Sequence, residues 1–373
     1  MLATPEFQQS NNTKAVEQFV GLFNAVPIGE LIANLETEIT KITVNGTDFP
    51  VSINRPTKDA NCYICCPRTA YIDYAIDETR NFVQSPILFR LVKILIHCCR
   101  PLLLATGLDR QAQINNWLLS TNPVPFIDEM SARNIAKQVS TTHPGHAIVV
   151  RSLNKQTDFE TIKNLREAGF RLLPARRIYL FDGRQPPPKL PQNVRYDRAL
   201  RRQTRYLFAP DDSFTEADYH RAADLYKMLY IDKYTPLNPD YSPCYIREMH
   251  QRGLFKLAGY RDDAGQLVAV AGFFSNVQTL TQPIVGYDTS LPRKDGLYRL
   301  VMAVGQSLAL DNKQFFNMSA GAGSFKRLRG AKPIIEYTAV YEKHLPRKQR
   351  CAIRIMEWIL SRIGIPLLER FDL

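Results

Sequence analysis

The sequence predicts an α/β (α+β) fold of two domains, each a mixed, mostly antiparallel sheet flanked by helices. Three observations carry this expectation. A chain of 373 residues exceeds the roughly 100–200 residues typical of one domain. In the second half, three strand patterns, a turn, a long helical pattern and another strand follow one another. In the first half, a β-branched run at 147–150, a helical pattern at 158–168 and a strand at 177–181 form the strand–helix–strand unit of mixed sheets.

In chain order, residues 13–37 carry Val16, Phe19, Val20 and Phe23, then Leu31, Ile32 and Leu35, at helical spacing around Pro27-Ile28-Gly29. Two short helices are predicted. Residues 39–53 alternate through Ile42, Val44, Phe49, Val51 and Ile53 about Asn45-Gly46, a strong hairpin signal. Helices are predicted at 68–82 and 87–104, with a shorter amphipathic piece at 112–119. Gly169 stops the helix at 158–168. The run Pro186-Pro187-Pro188 with Pro191 reads as a stiff extended linker.

The domain boundary is therefore expected near 183–192, giving an N-terminal domain at 1–185, a basic Pro-rich linker at 186–212 and a C-terminal domain at 213–373. In the last of these, helices are predicted at 216–230 and 245–253 and strands at 255–260, 267–275 and 279–287. A long helix at 296–311 carries Leu300, Ala303, Val304 and Leu308 on one side. Strands at 315–319 and 334–341 and a helix at 348–363 complete the domain.

Lys+Arg 48 against Asp+Glu 36 gives a net charge of +12, which favours anionic partners without choosing among phosphorylated cofactors, RNA and an acidic membrane. The excess lies at 176–205 and 324–350 rather than in aromatic-interleaved stripes. Seven cysteines, an odd number, read as reduced thiols. Cys62-x-x-Cys65 has no second ligand pair close behind it, so no metal site is expected. The first twelve residues are polar and lack an export pattern, so the cytoplasm is the expected location. The most apolar stretch, 86–106, is interrupted by Arg90, Lys93, His97 and Arg100 and reads as a packed or surface helix, not a membrane span.

The turn at 291–298 is the first candidate site. At the start of the long helix the backbone N–H groups are unpaired and the dipole is positive. Gly296 lets a ligand approach the backbone before Leu297, and Arg293, Lys294 and Arg299 add charge, with Asp295 as the alternative N-cap. The segment Ser319-Ala320-Gly321-Ala322-Gly323-Ser324 has no bulky side chain, and Lys326, Arg327 and Arg329 follow it. In the first half, Asn115-Asn116-Trp117 and Arg151 through Asn154 combine polar groups with strand ends. Trp117 and Trp358 read as core or interface anchors.

This element order, together with Gly286-Tyr287-Asp288, Gly296-Leu297-Tyr298-Arg299 and Phe325-Lys326-Arg327-x-Arg329-Gly330, resembles the GCN5-related N-acetyltransferase (GNAT) superfamily, in particular its tandem-domain branch of Fem-type transferases. The resemblance implies two GNAT-like domains, the N-terminal one degenerate. It also implies an acyltransferase that moves an acyl group from an acyl-CoA or an acyl-carrier-protein thioester to an amine of a small molecule. Acyl transfer to an amine needs a base and a proton donor or oxyanion stabiliser. Asp288, Glu336 and Tyr298 are the catalytic candidates. Arg293, Lys294, Gly296, Leu297, Arg299, Lys326 and Arg329 would hold the donor, and Tyr287, Ser319, Asn116, Arg151 and Tyr234 the acceptor. A Fem-type enzyme would take its donor from aminoacyl-tRNA. That alternative ranks second because no long heptad run marks a coiled-coil arm. A non-catalytic binder of acidic membrane or RNA is the third reading.

Overall fold

A computed structural model of the protein describes residues 5–57, 62–82, 85–185 and 189–371. Helix α1 (Pro5–Ala25) stops at the Pro27 break, before the single turn of α2 (Ile28–Leu31). The hairpin read at 39–53 is present as β1 (Glu38–Val44) and β2 (Thr47–Asn54), with Val44 opposite Thr47. Asn45 (φ 50°) and Gly46 (φ 78°) are both left-handed, the two-residue turn whose twist matches that of the strands. A π-helical turn at Thr69–Asp73 runs into α3 (Tyr74–Phe82), and α4 (Pro86–Thr106) ends at Gly107 with φ 68°.

Residues 112–119 are not a helical piece. Gln111–Ile114 is strand β3, bonded to β2 on one side and to a later strand on the other. Gln111 and Gln113, which share one face of the strand, are buried and donate their side-chain amides to the carbonyls of Cys65 (3.3 Å) and Ile64 (3.2 Å). Helix α5 (Glu129–Thr142), N-capped by Asp128, escaped the sequence reading. Strand β4 (Ala147–Asn154), α6 (Phe159–Glu167) and β5 (Arg171–Asp182) follow as the strand–helix–strand unit. The linker expected at Pro186–Pro188 lies outside the described residues.

The basic stretch at 195–204 forms α7 (Gln192–Gln203), and β6 (Leu207–Ala209) precedes α8 (Glu216–Leu229). A reciprocal Thr215–Asp218 capping box starts α8. A π-helical turn (Tyr230–Tyr234), α9 (Pro243–Gln251), β7 (Lys256–Arg261), β8 (Leu267–Ser275) and β9 (Thr279–Tyr287) come next. Helix α10 (Leu297–Asp311), β10 (Phe315–Asn317), the short α11 (Gly323–Arg327), β11 (Lys332–Tyr341), α12 (Arg347–Ile359) and α13 (Ile365–Phe371) complete the chain.

The chain divides into two compact units. The first holds the described residues up to Asn24, Asn34–Arg177 and those from Ile334 onward; the second holds Ala25–Ala33 and Ile178–Pro333. The sequence alone assigns 334–373 to the C-terminal domain. Pairing decides otherwise: β11 lies antiparallel to β4, with Glu336 opposite Asn154 and Tyr341 opposite Ile148. Unit one has strand order β1-β2-β3-β4-β11, with only β3–β4 parallel among these neighbours. Its core joins Phe49, Ile114, Ile135, Ile148 and Leu165. Unit two has order β5-β10-β9-β8-β7-β6, with only β9–β10 parallel. Tyr260, Phe273, Leu300, Val301 and Phe316 fill its centre.

Candidate functional site

The site-forming feature of unit two is a fork in its sheet. Strand β10 pairs with β9 only along Thr279–Thr281. Beyond Asn317 the chain leaves β9 and stays with β5, its partner on the other side: Met318 N donates to Tyr179 O (2.9 Å) and Tyr179 N to Ser319 O (3.2 Å). Strand β9 runs on to Tyr287, bonded to β8. The final residues of β9 thus diverge from the chain at 318–322, and α10 begins just past the open end.

The divergent side is built from small residues under backbone strain. Ser319 (φ 58°), Gly321 (φ 74°) and Ala322 (φ 48°) are all left-handed, a conformation that bulky or β-branched side chains resist. Lys326 is buried and closes this loop, donating from Nζ to Ser319 O (3.2 Å) and Ala320 O (2.7 Å). On the other side, Tyr298 at the start of α10 is half-buried between Phe325 (ring centroids 4.9 Å apart) and Tyr287 (6.1 Å). Burial raises the pKa of the Tyr298 hydroxyl, which stays protonated at neutral pH. Lys233 Nζ reaches the Tyr287 hydroxyl at 3.5 Å, and Tyr234 is exposed beside it.

The cations assigned to the donor divide into two sets. Asp197 of α7, 1% exposed, binds Arg329 through Nε (2.5 Å) and Nη2 (3.1 Å) and also accepts from Arg299 Nε (2.7 Å). Arg329 is stacked on the Phe325 ring at 3.4 Å. Arg299, Arg329 and Lys326 therefore hold the local fold together. Arg293 and Lys294 are exposed, on a short 3₁₀ turn. The N-cap is Gly296 (φ 67°), not Asp295, whose carboxylate is taken by the Tyr206 hydroxyl (2.6 Å) and Arg205 (3.1 Å). A Cβ on Gly296 would lie 2.7 Å from Leu200, and Leu297 is a core residue. A cleft of about 320 Å³ by Leu291 is lined by Asp262 and Asp263 as well as Arg205, a mixed charge unlike an anion cradle.

The proposed carboxylates are both ion-paired. Asp288 accepts from Ser290 N (3.0 Å) and Arg221 Nη2 (2.6 Å). Burial works against its charge, but the Ser290 hydrogen bonds and Arg221 outweigh it and hold the carboxyl below its usual range. Glu336, buried in unit one, accepts from Arg176 Nε (2.8 Å) and Nη2 (3.3 Å). Asn116 and Arg151 also belong to unit one. Asn116 donates to Ser52 Oγ (2.7 Å) and Gln113 Oε1 (2.8 Å) and accepts from Leu118 N (3.1 Å). Arg151 Nη1 donates to Ile64 O (2.6 Å). Cys62, Cys65 and Cys66 are buried, and burial pushes the Cys65 thiol up to about 11. Sequence reasoning missed Asp197 because it is a lone acid inside a basic helix; the signal was its helical phase, three residues from both Val194 and Leu200, which puts it on the inward face of α7.

No family model and no curated protein matches the chain. Solved structures do. The crystal structure of FemX superposes with a TM-score of 0.56 at 8% identity, covering 94% of this chain and 99% of that one. The C-terminal DUF2156 domain of a putative lysylphosphatidylglycerol synthetase from Agrobacterium fabrum gives 0.51 at 13%, covering 94% and 96%. A tandem GNAT protein of the clavulanic acid pathway gives 0.38 at 11%, covering 89% and 96%. The chain has the mixed α/β, GNAT-like fold that the sequence led us to expect, shared over nearly its whole length with FemX.

Proposed function

We propose that the chain is an acyltransferase that takes an aminoacyl group from tRNA and passes it to an amine, with the fork between β9 and residues 318–322 as its reaction site. The observation that carries the choice of donor is the engagement of Arg299, Arg329 and Lys326 by Asp197 and by backbone carbonyls. A tight pyrophosphate cradle for coenzyme A needs free cations or several glycines at the helix start; here the exposed charges are Arg293 and Lys294. A long polyanion laid across a basic surface makes no such demand. The missing helical arm is no objection: the longest helices among the described residues have 21 residues, yet this chain covers 99% of FemX.

In the reaction the amine nitrogen attacks the ester carbonyl, a C–N bond forms, and the C–O bond to the ribose breaks. Tyr298, a neutral phenol at physiological pH, donates its proton to the departing ribose oxygen and recovers one through solvent from the attacking nitrogen, which is cationic in the tetrahedral adduct and neutral in the amide product. Asp288 positions the turn after β9 through Arg221 and Ser290 and is not the base. Tyr298→Phe should lower turnover about 10²-fold or more with tRNA affinity retained; unchanged turnover removes Tyr298 from the mechanism.

A thioester donor is the second reading, favoured by the exposed Arg293 and Lys294 on the turn just ahead of α10. The two separate on donor binding. Charged tRNA should raise the melting temperature in a salt-sensitive way and release its amino acid to an amine. Stabilisation by acyl-CoA together with indifference to charged tRNA would reverse the order.

A further inference from the structure

Helix α4 has two apolar faces, and unit one covers only one of them. Phe89, Ile96 and Leu103 pack into a core with Ile353 and Met356 of α12. Ile87, Leu91, Ile94 and Leu95, at spacings i, i+4, i+7 and i+8, form a second stripe that is 73%, 59%, 60% and 48% exposed. Arg90, Lys93 and Arg100 are exposed along a third face between the two, and α4 has no acidic residue. A helix stabilised by its own domain needs one apolar stripe. The packing partner α12 repeats the pattern: Ile355 is 48% and Trp358 59% exposed, one helical turn apart and next to exposed Arg354. Trp358, which the sequence suggested as a core or interface anchor, is not in the core.

We infer that the exposed faces of α4 and α12 form a docking surface for an anionic lipid bilayer, on which α4 lies in the plane of the interface. Apolar side chains rimmed by Arg and Lys, with an indole among them, match a headgroup–acyl boundary. No helix among the described residues is long and apolar enough to cross a membrane, so the contact is peripheral. Charge selects the lipid over a second copy of the chain: in a two-fold interface the basic rim would meet itself, whereas acidic headgroups neutralise it. This inference does not depend on the identity of the acyl donor.

The full chain should float with vesicles of phosphatidylcholine mixed with phosphatidylglycerol, float less with phosphatidylcholine alone, and be released by salt. Arg90→Gln, Lys93→Gln and Arg100→Gln together should weaken partitioning roughly a hundred-fold, about five-fold for each charge. Leu91→Glu with Ile94→Glu should abolish flotation while circular dichroism stays unchanged, since both positions are exposed. Brominated acyl chains should quench the fluorescence of Trp358 and leave the buried Trp117; Trp358→Phe should remove the quenching. Absence of flotation with anionic vesicles, or flotation unaffected by the double Glu variant, overturns the inference. So does a dimer in light scattering that the same variant splits while the wild type ignores vesicles; that result assigns the face to self-association.

Discussion

Asp197 shows how one carboxylate can decide what a basic cluster is for. At 1% exposure it pairs with both Arg299 and Arg329, and Asp197→Ala would leave the 4%-exposed Arg329 as an unpaired buried charge. Such a change should cost about 3–5 kcal/mol, read as a lower midpoint of urea unfolding. Two other residues set a pH dependence with opposing signs. Burial lifts the Asp158 carboxyl to about 7, so the folded chain binds this proton more readily than the unfolded one. Its contribution is present at low pH and is lost as pH rises from about 4 to 7. Burial lowers His146 to about 4, so its contribution is present above about 6.5 and is lost as pH falls towards 4. Asp158→Asn should leave stability rising with pH between 4 and 6.5, and His146→Gln should leave it falling there. Urea midpoints across that range test both slopes, and identical profiles for the two variants would contradict the assignment.

At the scale of elements, the position of α8 on β9 rests on a missing side chain. A Cβ on Gly286 would lie 2.5 Å from the Leu225 backbone carbon and 2.6 Å from the Tyr226 backbone nitrogen, and backbone cannot move aside as a side chain can. Gly286→Ala should therefore cost about 1–3 kcal/mol and shift Tyr230–Tyr234, the turn that follows α8. Unfolding curves measure the first effect, and altered protection of amides 230–234 in hydrogen exchange the second. A variant as stable and as protected as the wild type would mean that α8 sits less tightly than the structure has it.

At the scale of the molecule, unit one is completed by residues far along the chain. Strand β11 pairs with β4, and Arg171 binds Glu342 (2.6 Å) and Glu357 (2.8 Å). A fragment ending at residue 185 lacks all of these partners. It should show no cooperative unfolding transition, and adding a peptide of residues 334–373 should restore one, read by circular dichroism. A fragment that folds cooperatively alone would restore the boundary read from the sequence.

The sequence by itself determined the kinds and order of most elements, because period-two and helical patterns, Asn45-Gly46 and the glycine stops are local signals that each segment carries within itself. It also carried the resemblance from which the fold was expected. It misread β3, a four-residue strand too short to show its period and buried on both faces, glutamines included, and overlooked α5. What only the tertiary structure decided was non-local: the return of β11 to unit one, the departure of residues 318–319 from β9, and the exposure of Trp358. The fates of Asp288, Glu336, Arg299 and Arg329 belong to the same class. A charge in a sequence is free until the fold brings its counter-charge, and here Asp197 lies 102 and 132 residues away from the arginines it binds.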